Sequence, residues 1–145
     1  MADEQRLRPA VPRGLGPART PASDFRILVV DDDTDHRSLV GDTLRGEGYD
    51  VTVAVDGGDA TRAARKSSPH VVFLDLSMPG ISGWDALPYL KRLPEPPRIV
   101  ALSAHGDARS RQRAFELGCD EFVAKPFTAT EICGVVSAYR LRRES

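Results

Sequence analysis

Two cysteines in 145 residues, Cys119 and Cys133, have no metal-ligand spacing and no framework of further cysteines around them. They read as small apolar residues of a reducing compartment, and no disulfide is expected between them. No apolar run approaches the roughly 20 residues of a membrane span, and the N-terminus has no apolar core of a signal peptide, so a cytoplasmic protein without membrane contact is expected. Twenty basic and 21 acidic residues leave a net charge of −1, which removes the usual electrostatic case for a nucleic-acid binder. Arginine is gathered locally, at Arg6, Arg8, Arg13 and Arg19, at Arg109, Arg111 and Arg113, and at Arg140, Arg142 and Arg143. A solvated face accounts for each cluster about as well as a partner does. No internal repeat and no low-complexity core segment is visible.

What is present suits one domain with a substantial core. Residues 1–24 hold Pro9, Pro12, Pro17 and Pro21 and almost no bulky apolar side chain, a composition that cannot offset the entropy of ordering and reads as a flexible tail. From residue 25 to 143, apolar runs alternate with helical patterns. Strands are predicted at Phe25–Val30, Val51–Val55, His70–Leu74, Arg98–Leu102 and Glu121–Ala124, mostly apolar on both faces as a covered parallel sheet requires. Helices are predicted near Thr34–Arg45, Asp59–Lys66 and Asp107–Leu117, and after the capping box Thr128-Ala129-Thr130-Glu131. A further helix around Gly83–Leu90 contains Pro88, which would lose a helix bond and crowd the Trp84 carbonyl, so it is predicted to start late or to kink. Five β-then-α units with short connections give an α/β fold, a doubly wound (βα)5 five-stranded parallel sheet flanked by five helices.

The chemistry-bearing residues follow the strands. Asp31 and Asp32 close the first, Asp75 the third, Ser103 the fourth and Lys125 the fifth. In an open α/β sheet, the crevice outside the carboxyl ends of the strands is where ligands bind. Taken singly, Asp31, Asp32 and Asp33 could merely open the next helix, where acids suit the positive dipole end. Likewise Lys125 could be a surface lysine and Ser103 a helix cap. Jointly, carboxylates brought close together raise one another's pKa unless a cation neutralises them, and an all-oxygen donor set points to a hard ion such as Mg²⁺. A carboxylate beside a metal and a lysine is a nucleophile suited to phosphoryl transfer, with an aspartyl phosphate as product.

The segments Val29-Val30-Asp31-Asp32, Leu74-Asp75-Leu76-Ser77-Met78-Pro79-Gly80-Ile81-Ser82-Gly83, Leu102-Ser103-Ala104 and Ala124-Lys125-Pro126-Phe127 resemble the motif set of receiver domains of two-component response regulators, of the chemotaxis-regulator type with a flavodoxin-like fold. The resemblance spans about residues 25 to 140. It implies that Asp75 accepts a phosphoryl group from a histidine kinase or a histidine phosphotransfer protein, and that the domain is a phosphoacceptor rather than an enzyme acting on a separate substrate. It implies that Asp32, Asp75 and the Ser77 main-chain carbonyl hold Mg²⁺, that Asp31 acts largely through water, and that Lys125 and Ser103 bind phosphoryl oxygens. A cis Lys125-Pro126 peptide is implied as well.

By the same resemblance Ser103 and Phe122 form the switch, and Ser77 with His105 tunes the lifetime of the phosphoryl group. The face of the fourth helix, fifth strand and fifth helix would then meet a downstream protein or a second copy of the chain. His36 and His70 are read as structural or solvent-facing. The sequence stops about where the fifth helix should, so a stand-alone regulator with output by protein contact or phosphorelay is expected. A receiver belonging to a hybrid histidine kinase is the alternative. A phosphohydrolase of the haloacid dehalogenase type, beginning at Asp31-x-Asp33, is disfavoured because no acidic pair after Lys125 completes its metal site.

Overall fold

The β-branched and leucine-rich runs form five strands, each followed by a helix, in the computed structural model, which describes residues 21–77, 83–104 and 106–143. The elements are β1 (Arg26–Val30), α1 (Thr34–Gly46), β2 (Asp50–Ala54), α2 (Gly57–Ser67), β3 (Val71–Asp75), α3 (Gly83–Lys91), β4 (Arg98–Ser103), α4 (Ala108–Glu116), β5 (Glu121–Ala124) and α5 (Ala129–Arg143). All neighbouring strands pair in parallel, in the order β2-β1-β3-β4-β5, which is the expected doubly wound (βα)5 sheet. Predicted strand boundaries differ by a residue or so. Asp75 and Ser103 are the last residues of their strands instead of the first beyond them, because ladder pairing with β4 and β5 continues through both.

The central strands β1, β3 and β4 are buried on both faces, whereas the edge strands β2 and β5 keep exposed positions. Alternation sends Ile27, Val29, Phe73 and Leu102 to one face, against Val40 and Leu44 of α1 and Ile132 and Val136 of α5. Leu28, Val30, Val72 and Leu74 go to the other, against Ala60 of α2, Leu87 and Leu90 of α3 and Ala114 of α4. Cys119 and Cys133 are free thiols belonging to opposite layers. The helix α3 starts at Gly83 and runs through Pro88 to Lys91, so it does not start late. Its C-terminal end is tied to the base of β5: Lys91 Nζ donates to Asp120 Oδ2 at 3.0 Å, and the same oxygen accepts from Ile99 N at 2.8 Å.

Of the stretch read as a tail, residues 1–20 lie outside the described residues, and Ala22–Asp24 form a short 3-10 turn with Ala22 packed against the α1/α5 layer. The loop 78–82, His105 and residues 144–145 also lie outside them. No described helix is long and apolar enough to cross a membrane.

The capping box is formed as predicted. Thr128 Oγ1 accepts from Glu131 N at 3.1 Å, and Glu131 Oε1 accepts from Thr128 N at 2.8 Å. Replacing Thr128 by Ala removes one acceptor from the first turn of α5, so urea unfolding should show stability lower by about 1 kcal/mol with an unchanged denaturant slope.

Candidate functional site

Strand register builds the site. Val30 pairs with Leu74, and Leu74 with Ala101, so the residues following these pairs reach the same sheet edge. Asp31 and Asp75 therefore stand side by side where the strand order turns back between β1 and β3, the switch point at which open sheets bind ligands. Ser103 pairs with Ala124, which carries Lys125 to the same edge, and Lys125 N donates to Ser103 O at 2.8 Å. Asp31, Asp75 and Ser103 are buried at 1–2% exposure, the only buried polar or charged side chains among the described residues. Burying charged groups is costly unless they are paired, so this concentration at one edge calls for a compensating partner.

Part of that compensation is present. Lys125 Nζ donates to Asp75 Oδ2 at 3.0 Å and lies 4.0 Å from Asp31 Oδ2. Asp75 Oδ1 accepts from Ser77 N at 2.8 Å, and Asp31 Oδ1 from Asp33 N at 2.9 Å. The remaining carboxylate oxygen, Asp31 Oδ2, is buried without a hydrogen-bond partner. Asp31, Asp32 and Asp75 each offer a carboxylate oxygen, all within 4.8 Å of one another. One ammonium among three carboxylates leaves negative charge in excess. An orphaned buried oxygen within a hard-oxygen set is what a small divalent cation satisfies. The residues present thus fit such an ion.

The electrostatics agree. The Asp31 carboxyl is pushed up from its ordinary 3.8 to about 6, chiefly by burial; the Asp33 N–H opposes this, and the like charge of Asp75 adds to it. Asp33 is displaced the other way, held below its ordinary value first by the His36 N–H. Its carboxylate caps α1, accepting from Asp35 N at 2.9 Å and His36 N at 3.1 Å, and is thereby turned away from the metal set. The Lys125-Pro126 peptide is cis, as the resemblance implied.

Among the other predicted residues, Ser77 is exposed beside Asp75, and Phe122 is 7% exposed within the α2/α3/α4 layer. The Arg111 guanidinium lies 5.5 Å from the Phe122 ring centre. His105 lies outside the described residues. His70 has the structural role expected of it, since its Nδ1 accepts from Arg26 N at 3.0 Å and its ring stacks on Phe25. His36, by contrast, stands at the site, with Nδ1 3.9 Å from Asp31 Oδ2.

Two other residues of the site carry no chemistry in the sequence. Arg37 Nη1 donates to the Asp31 carbonyl at 2.8 Å and ties α1 to the end of β1. A Cβ at Gly83 would overlap the Asp75 carbonyl oxygen, so only glycine lets α3 begin this close to β3. In the sequence Gly83 ends the motif segment that begins at Leu74 and opens a helix, where a glycine weakens propensity.

Because the Asp31 pKa is raised on folding, the stability tied to its neutral form is complete below about pH 4 and is lost as pH rises through about 6. In metal-free buffer, Asp31→Asn should match the wild type near pH 4 and exceed it by about 1–3 kcal/mol near pH 7. Urea unfolding of both proteins across that range checks this.

Comparison with known proteins places the geometry in context. The family model for the response regulator receiver domain matches residues 27–137. The DNA-binding response regulator MtrA of Mycolicibacterium smegmatis is 42% identical over 118 residues, covering 81% of this chain and 51% of MtrA. The transcriptional regulatory protein PrrA of Mycobacterium bovis is 35% identical over 120 residues, covering 83% of this chain and 52% of PrrA. The chain therefore spans about half the length of these curated relatives. Among solved structures, the chemotaxis protein CheY4 of Vibrio cholerae superposes with a TM-score of 0.75 at 25% identity, covering 79% of this chain and 97% of its own. A response regulator of Chloroflexus aurantiacus does so with a TM-score of 0.75 at 30% identity, covering 81% and 98%. With the family model matched from β1 into α5 and the acidic edge assembled at the sheet's switch point, this chain belongs to the response regulator receiver domain family.

Proposed function

We propose that this receiver works as a phosphorylation-dependent switch in which Asp75 takes a phosphoryl group from a histidine kinase or a histidine phosphotransfer protein. The observation that carries the reading is the buried Asp75 carboxylate, held by Ser77 N at 2.8 Å and Lys125 Nζ at 3.0 Å and flanked by Asp31. These contacts fix the carboxylate's orientation, which is most of what phosphoryl transfer asks of a protein. An Asp75 oxygen attacks the phosphorus of a phosphohistidine, an O–P bond forms as the P–N bond breaks, and the electron pair stays on the imidazole nitrogen, which takes a proton from solvent. Lys125 is placed to follow the charge onto the phosphoryl oxygens, and the Ser103 hydroxyl to donate to another.

Asp32, Asp75 and the Ser77 carbonyl would hold Mg²⁺, with Asp31 acting through water. When bound, the ion neutralises charge on the carboxylates and on the phosphoryl oxygens. Self-phosphorylation from small donors and self-dephosphorylation are the most the domain would catalyse on itself, with Ser77 and His105 tuning the lifetime of the phosphoryl group.

For output, recruitment of Ser103 toward the phosphoryl group would be felt by Phe122, which already packs inward at 7% exposure, and so bias the face of α4, β5 and α5. A groove of about 540 Å³ lies on that face, lined by Phe122, Val135, Glu131 and Arg142 among others. A downstream protein or a second copy of the chain would be received there. The names of MtrA and PrrA attach DNA binding and transcription to proteins about twice as long. The net charge of −1 gives the receiver itself no electrostatic attraction to nucleic acid, so its own face is read as one for protein contact or onward phosphotransfer. The phosphohydrolase reading needs Asp33 as a free second acid two residues beyond Asp31, a role at odds with its capping of α1.

Intact-mass analysis after incubation with Mg²⁺ and acetyl phosphate tests the reading. One phosphoryl adduct that requires Mg²⁺ and vanishes in Asp75→Asn is expected, with occupancy reduced in Lys125→Ala. Followed in time after removal of the donor, Ser77→Ala and His105→Ala should change the adduct's half-life. An adduct that survives in Asp75→Asn would contradict the assignment.

A further inference from the structure

Asp31 is held at three points, and one of them governs its neighbour. Asp31 N donates to Ala54 O at 3.1 Å, Asp31 Oδ1 accepts from Asp33 N at 2.9 Å, and the Asp31 carbonyl accepts from Arg37 Nη1 at 2.8 Å. That carbonyl belongs to the planar peptide joining Asp31 to Asp32, so fixing it fixes the direction in which the chain enters the Asp32 Cα. Asp32 is oriented only through its main chain. Its side chain is exposed and makes no hydrogen bond or ion pair among the described residues, yet one of its oxygens completes the three-carboxylate set within 4.8 Å. The peptide after Asp32 is held by the bond from Asp33 N to Asp31 Oδ1, and the peptide before it by Arg37. Arg37 is half-buried, and its own N–H donates to the Asp33 carbonyl at 2.9 Å in the first turn of α1. The helix thus carries a guanidinium back to the end of β1, across the loop that bears Asp32.

We infer that Arg37 is a positioning residue of the carboxylate set, aiming the Asp32 carboxylate through the Asp31–Asp32 peptide without touching the ion. This rests on the reading that the three carboxylates hold Mg²⁺. Groups that orient metal ligands from behind commonly change metal affinity by about tenfold or more when removed. Charge acts in the opposite sense. A guanidinium near three carboxylates opposes the approach of another cation, so removing an Arg37 that acted through charge alone would tighten Mg²⁺ binding. Removing one that positions Asp32 weakens it. The sign of the effect separates the two roles.

Titration of the full chain with MgCl₂, without a phosphoryl donor and followed through backbone amide NMR signals, tests it in the wild type, Arg37→Met, Asp32→Asn and the double variant. Arg37→Met should weaken Mg²⁺ binding by about tenfold, and Asp32→Asn should weaken it as well. In the double variant the two losses should not multiply, because Arg37 acts through a carboxylate that is already gone. The amide spectra verify folding. Arg37→Gln, polar but too short to reach the Asp31 carbonyl, is the second variant, and the same loss is expected of it. Unchanged or tighter Mg²⁺ binding in a folded Arg37 variant, or losses that multiply in the double variant, overturns the inference and leaves the Mg²⁺ reading standing. A wild type that binds no Mg²⁺ overturns that reading and the inference with it.

Discussion

Two carboxylates from adjacent central strands are buried against a single ammonium, and the rest of the site answers that imbalance. Asp31 and Asp75 sit where the strand order turns back, in the part of the sheet most completely covered by helices. Lys125 reaches Asp75 at 3.0 Å but stands off Asp31 at 4.0 Å. Main-chain N–H groups of Ser77 and Asp33 take up one oxygen of each carboxylate. One oxygen of Asp31 is left over, and its raised pKa expresses the same shortage of positive charge. A divalent cation is what this edge needs to come into balance. On the proposed function, a phosphoryl group on Asp75 would compete for Lys125 with the existing Asp75 pairing, a local covalent change that could bias a distant face.

That the imbalance is tolerated follows from the fold beneath it. The sheet interior is formed by β-branched, leucine and phenylalanine side chains packed into two apolar layers, so the polar cost is confined to the last residue or two of each strand. Short connections keep those ends in register. α1 starts three residues after Asp31, capped by Asp33, and α3 begins against the carbonyl of Asp75, a closeness that depends on Gly83 having no side chain. At the opposite end of the sheet, the Lys91–Asp120 pair and its bond to Ile99 N fasten α3 to the start of β4 and β5.

Much of this was legible in the sequence, for identifiable reasons. Continuous apolar runs such as Val71-Val72-Phe73-Leu74 admit little besides a strand covered on both faces, and the polar residue ending each run fixes where chemistry gathers. The Thr128/Glu131 box was readable because both partners lie on one turn. What depended on tertiary distance was not. Pro88 reads as a helix obstacle, yet α3 runs through it, packed on its buried side by Ala86, Leu87 and Leu90. Asp33 is different, a local contact: the reading that an acid of this run opens the next helix holds for it, since it caps α1 through Asp35 N and His36 N. His36 looks like an ordinary helix residue until the first turn brings it 3.9 Å from Asp31. Its relation to the site lies in the angle at which α1 leaves β1, which no local pattern encodes.

The central claim is that the buried edge is a phosphoryl site centred on Asp75 and poised by Lys125. The most direct measurement is a crystal structure of the chain with Mg²⁺ and beryllofluoride, a stable mimic of the phosphoryl group. The account predicts beryllofluoride bonded to an Asp75 carboxylate oxygen, with Lys125 Nζ moved from the carboxylate onto a fluoride and the Ser103 hydroxyl turned toward another. Beryllofluoride bonded to any other carboxylate, or an Asp75–Lys125 pair unchanged at 3.0 Å beside it, would contradict it.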